Sequence, residues 1–288
     1  MPKHTLKKFV RDESTSGRLQ IQPLDLSMLR DIAEYRLMNS EQLGALYHRG
    51  LRNFQRRLAD LFHEGYLERP SQQKTNRLLS GSFVYGLGER GVEVLYTGAA
   101  KREMMQQVRI DERTALPHIA HTLMISQFRA LVTLAFENQK HGKLARWEDT
   151  RSLKVLLSPR GWKTDLVPDG FFTIETPKGR LNFFLEADRA SELKATFLEK
   201  MKIYWRWFHA GSCEEKLGIK KFQVLTVADD ARRLEILRQV TKEADPKHEG
   251  SLLFMFADMA SFSLAKPESA LNPVWLTPKD DAKRVLLP

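Results

Sequence analysis

Residues 165–204 read DLVPDGFFTIETPKGRLNFFLEADRASELKATFLEKMKIY. The first part alternates as two strands, about Val167 to Glu175 and Leu181 to Ala187, turned by Pro177, Lys178 and Gly179. From about Ala190 to His209 the period becomes helical, with Leu193, Phe197, Met201 and Tyr204 toward the sheet. The acids gather at strand ends. Asp169 follows Pro168 at the head of the first strand, and Glu186 and Asp188 stand two apart at the end of the second, on one face. Carboxylates so grouped, followed by a helix carrying Lys200, are donors that suit a hard divalent cation. The plain alternative is a set of solvated acids.

Working outward, His118 to about Lys140 has the wide apolar pattern of a long buried helix. Trp147 to Leu157 is expected as a first strand. Downstream, Phe222 to Ala228 is an apolar strand, parallel to a neighbour because it lies between two helical segments. Asp230 to Ala244 is a helix and Ser251 to Phe256 a last strand. This order predicts an α/β domain over 118–265, with helices on both sides of a small sheet and 266–288 as a tail.

The other half of the chain has a different rhythm. Residues 1–19 read as a basic arm. Three helices follow within 20–96: about Asp25 to Arg36, a short one capped by Asn39 or Ser40, and Leu51 to His63, stopped at Gly65. Tyr66 to Arg69 and Phe83 to Leu87 then form a hairpin around a polar loop, and Glu89 to Tyr96 a closing helix allowed tight turns by Gly88 and Gly91. This series predicts a winged helix-turn-helix. Arg49, Arg52, Asn53 and Arg56 line the outer face of the third helix, where Arg and Asn suit base edges and phosphates. Lys74, Asn76 and Arg77 sit at the wing tip. Seven basic residues against three acids between Arg49 and Ser80 make the local field positive. The bland reading is a helical hairpin with solvated arginines. Residues 97–117, charged and without a clear apolar face, are expected as a linker or bridging helix.

Across 288 residues the net charge is +10, with a pI near 9.6, a field that favours a polyanionic partner. The single cysteine, Cys213, excludes an internal disulfide or cysteine-built zinc cluster and suits a reducing cytoplasm. There is no apolar run of about 18 residues, so no membrane span is expected.

The strand order, with Pro168-Asp169 and then Glu186-Ala187-Asp188, resembles the PD-(D/E)xK nuclease fold. That resemblance implies that Asp169, Glu186 and Asp188 hold Mg²⁺. Asp188 stands where the family has a lysine, so Lys200 is the substitute for activating water, and Glu148 a fourth acid. Over about residues 24–256 the chain is more similar to the replication-relaxation family of plasmids and mobile elements. The resemblance is carried by Leu58 to Gly65, Tyr85 to Gly91, His121-Thr122-Leu123, Pro168-Asp169, Phe184 to Arg189, Lys200, Tyr204, Val224 to Val227, and Arg232 or Arg233. Ala190-Ser191 departs from the Gly-Thr common there. The resemblance implies a winged helix joined to a nuclease-like domain, acting in replication, maintenance or regulation of mobile DNA. Double-stranded DNA and a second copy in a homodimer are the expected partners. The alternatives are an active Mg²⁺-dependent endonuclease using Asp169, Glu186, Asp188 and Lys200, or a transcriptional repressor dimerising through its C-terminal domain. A relaxase with a tyrosine nucleophile would need histidine ligands near Tyr204 or Tyr85, and the spaced pair His118 and His121 belongs to another segment.

Overall fold

The computed structural model describes residues 9–11, 19–74, 82–112, 115–138, 140, 142–157, 166–190 and 192–287. Most of the expected basic arm lies outside the described residues, as do Asn76, Arg77 and the side chain of Lys74. The chain is a mixed α/β protein with two sheets. It divides into two compact units, 1–127 and 128–288.

The first unit runs α1 (Pro23–Tyr35), β1 (Leu37–Asn39), α2 (Ser40–Leu46), α3 (Leu51–His63), β2 (Leu67–Glu68), β3 (Val84–Leu87) and α4 (Glu89–Leu95). The start of α2 is fixed by Asn39, whose side chain accepts the N–H groups of Glu41 and Gln42. Gln42 Oε1 reciprocates by accepting the Asn39 N–H at 2.9 Å, completing a capping box. Gly65, at φ +80°, takes the left-handed turn that stops α3. The brief β1 escapes the sequence pattern, yet it builds the sheet: β3 pairs antiparallel with both β1 and β2, in the order β1-β3-β2. Gly88 and Gly91 serve close approach rather than turning. A Cβ at either position would meet a backbone oxygen, of Gly65 or Tyr66, at 2.4 Å.

The span 97–117 holds a helix, α5 (Gly98–Glu112), and α6 (Leu116–Ala135) follows. The division between the units falls inside α6, ten residues beyond the boundary expected at His118. Its first half is tied to the first unit. Ile119 and Leu123 are buried with Leu37 and Val84, Ser126 Oγ donates to the Leu37 carbonyl at 2.7 Å, and Gln42 Nε2 donates to the Leu123 carbonyl at 3.0 Å.

The second unit is built on a five-stranded sheet in the order β4 (Lys143–Asp149), β5 (Gly170–Thr176), β6 (Gly179–Asp188), β7 (Gln223–Ala228), β8 (Phe254–Asp258). The first three strands are antiparallel, and β7 and β8 continue parallel to β6. The expected strand Trp147–Leu157 is half helix. It bends at Asp149, whose Oδ1 accepts the Ser152 N–H at 2.8 Å and opens α7 (Thr150–Leu157). Leu153 and Leu157, four apart, then share the buried side of that helix. With α8 (Lys194–Ala210), α9 (Ser212–Leu217) and α10 (Ala231–Thr241), α7 covers one face of the sheet around Phe171, Phe184, Val224 and Phe254. On the other face Phe128, Phe172 and Trp275 meet edge-on or tilted. Among the described residues no helix is long and apolar enough to cross a membrane.

Candidate functional site

Two places answer to the sequence expectations, one in each unit. In the second unit the register explains the gathering of acids. Gly170 pairs with Leu185 across the antiparallel β5–β6 ladder, so Asp169, one residue before β5, comes opposite Glu186. Its Oδ2 accepts the Ala187 N–H at 2.9 Å. Glu186 is 2% exposed and points under α8. There its Oε2 accepts from Lys200 Nζ at 3.1 Å and its Oε1 from the Tyr204 hydroxyl at 2.6 Å. Lys200 and Tyr204 are four apart, one turn of α8, which lets both reach one carboxylate. Thus the expected Asp169, Glu186 and Lys200 do come together.

Asp188 lies on the same strand face with a different partner. Its Oδ1 and Oδ2 receive Arg233 of α10 through Nε at 2.6 Å and an Nη at 2.9 Å, and Oδ1 also accepts the Ala190 N–H at 2.8 Å. Arg233 also donates to the Glu192 carbonyl at 2.7 Å, while the Glu192 carboxylate pairs with Lys200 at 3.2 Å. Glu192 precedes α8 rather than lying on it, contrary to the expected helix start near Ala190. Glu148 pairs with Arg146 at 2.9 Å. Thr226, the register neighbour of Glu186 on β7, is fully buried, and its hydroxyl lacks a partner among the described residues.

Burial is the largest influence on Glu186 and pushes its carboxyl up to about 7; Lys200 opposes this and Asp169 adds to it. Burial alone would lower the Lys200 ammonium, but Glu186, Glu192 and Asp169 outweigh it and hold the group above its usual value. Burial and then Glu186 raise the Tyr204 hydroxyl well above the ordinary tyrosine value. Both Tyr204 and Tyr85 are fully buried, which denies either one the access a nucleophile needs. Cys213, buried and free, has its thiol pushed up to about 12 by burial.

The Mg²⁺ that the nuclease resemblance implies does not fit this arrangement. Both oxygens of Asp188 are taken by a guanidinium, and both of Glu186 by an ammonium and a phenol. Among the described residues no group of three or more His, Cys, Asp or Glu could hold a metal ion.

In the first unit α3 has two sides. Phe54, Leu58, Leu61 and Phe62 are buried, while Arg52, Asn53 and Arg56 are exposed, with Arg49 exposed just ahead of the helix. Arg57 and Arg69 are structural. Arg57 Nε donates to Asp25 Oδ1 at 2.9 Å, and an Nη of Arg57 pairs with Asp25 Oδ2 and the Gln20 carbonyl. Arg69, 5% exposed, lies over the rings of Phe62 and Phe83 at 4.4 and 4.3 Å and donates to the Tyr85 hydroxyl at 3.0 Å. The positive field counted along the sequence is therefore concentrated in fewer residues than the count suggests.

A chain with this pairing of a small three-stranded α/β unit and a five-stranded sheet unit also has a recognisable sequence profile. The family model described as replication-relaxation matches residues 29–221, well over half of the chain, and the chain belongs to that family. No curated protein and no solved structure matches it.

Proposed function

We propose that this protein binds duplex DNA in the replication of mobile elements, and that residues 20–96 form a winged helix with α3 as its reading helix. Family membership supports the replication role. The observation that carries DNA binding is the exposed stripe of Arg52, Asn53 and Arg56, with Arg49 beside it, on a helix whose other side is buried core. Residues at i, i+1 and i+4 occupy one face of a helix, so the stripe can enter a major groove as a unit. Arginine offers a bidentate fork to guanine or phosphate, and asparagine a matching pair to adenine. Supporting this reading, the element order and the β1-β3-β2 sheet place a two-stranded hairpin directly after α3. By their charge alone, Lys74 and Arg77 are further candidates for phosphate contact.

Phosphate contacts then supply most of the affinity, and each one makes binding weaken with salt. The test is a titration of a fluorescent random-sequence duplex across a range of salt concentrations. We expect log affinity to fall linearly with log salt, at roughly −0.9 per phosphate neutralised. An absence of binding at low salt, or binding indifferent to salt, would contradict the proposal.

A further inference from the structure

We propose that two internal cations, the Arg233 guanidinium and the Lys200 ammonium, take the place at the end of β6 that a divalent ion holds in the nucleases this stretch resembles. The second unit is then locked in a metal-independent form. The inference goes beyond DNA binding and stands or falls separately from it. Arginine presents a planar fork that matches a carboxylate, and Arg233 uses it on both oxygens of Asp188. The side chains of Arg233 and Asp188 are only 10% and 4% exposed, so the pair is sheltered from water. A metal ion at Asp188 would have to displace this fork and leave a guanidinium buried without a counter-charge, which is costly.

The same holds one turn of strand away. Glu186, with its side chain 3% exposed, has one oxygen on Lys200 and the other on Tyr204. Glu192 joins the two halves, its carboxylate to Lys200 and its carbonyl to Arg233. The network therefore links β6, the loop that follows it, α8 and α10, the connection that a shared metal would otherwise make. The unpartnered Thr226 hydroxyl adds one neutral oxygen to this row and no charge.

The test is thermal melting of the full chain in EDTA and in millimolar Mg²⁺ or Mn²⁺, together with Arg233→Met and Lys200→Met. We expect the wild-type midpoint to be unmoved by either metal. In EDTA, Arg233→Met should melt lower by roughly 10 °C, because it strands a buried carboxylate. A wild-type midpoint raised by several degrees in Mn²⁺, with the rise lost in Asp169→Ala and Glu186→Ala, would overturn the proposal. So would an Arg233→Met protein as stable as the wild type. If Arg233→Met does not fold, Lys200→Met decides beside the wild-type metal titration: in EDTA it should melt below the wild type, because Glu186 loses its cation, and equal stability would overturn the proposal.

Discussion

Arg56 and Arg57 are neighbours with opposite employment. Arg57 turns inward to Asp25, which is 1% exposed, and fastens α1 to α3. Removing a partner from such a pair leaves a buried carboxylate uncompensated. Arg57→Ala should therefore cost about 3 kcal/mol in urea unfolding, while Arg56→Ala should stay within about 0.5 kcal/mol. The sequence sets Arg56 on the outer face of the helix but does not show what Arg57 meets, because that partner lies 32 positions away. Glu186 gives a residue-level prediction in pH. Its carboxyl is raised from 4.5 to about 7 in the folded chain, so between those values the folded state holds the extra proton. Its contribution to stability is then complete below pH 4.5 and is lost as pH rises through 7. Glu186→Gln cannot undergo this loss. Melting both proteins across that window should show the wild type falling relative to Glu186→Gln; parallel curves would refute it.

At the scale of elements, the helices of the first unit were the most legible because their signals are local: Asn39 and Gln42 for a cap, Gly65 for a stop. The hairpin was less so. Its order depends on Gln73, whose side chain donates to the Val84 carbonyl and accepts the Val84 N–H, both at 3.0 Å. A glutamine in a polar loop carries no sign of such a role. Gln73→Ala leaves a buried N–H and carbonyl unpaired and should cost about 2 kcal/mol, read from the melting midpoint. In the second unit, the strand expected through Leu157 failed at Asp149 because a period-2 pattern of mixed polarity continues smoothly into a helix once an Asp caps it. The acidic cluster was legible as strand-end spacing. What completes it, Arg233 for Asp188 and the Glu192 carbonyl for Arg233, comes from parallel pairing and helix packing. Thr226→Val, which deletes the buried unpartnered hydroxyl beside Glu186, should be neutral or stabilising by melting.

At the scale of the whole molecule, two charge designs share one chain. The first unit presents Arg52 and Arg56 outward on α3, and the second turns Lys200 and Arg233 inward onto acids. A net charge of +10 reports their sum and cannot distinguish them. The division inside α6 was likewise hidden, since apolar residues run through both halves of the helix and give no sign of which half packs where. Whether the outward set on α3 reads duplex DNA is decided by comparing the wild type with Arg52→Ala/Arg56→Ala on one duplex at one salt concentration. Because both side chains are exposed, the double variant should fold and melt as the wild type does. Its affinity should be at least about tenfold weaker, from two lost guanidinium contacts; equal affinity in the two proteins would refute DNA reading by α3.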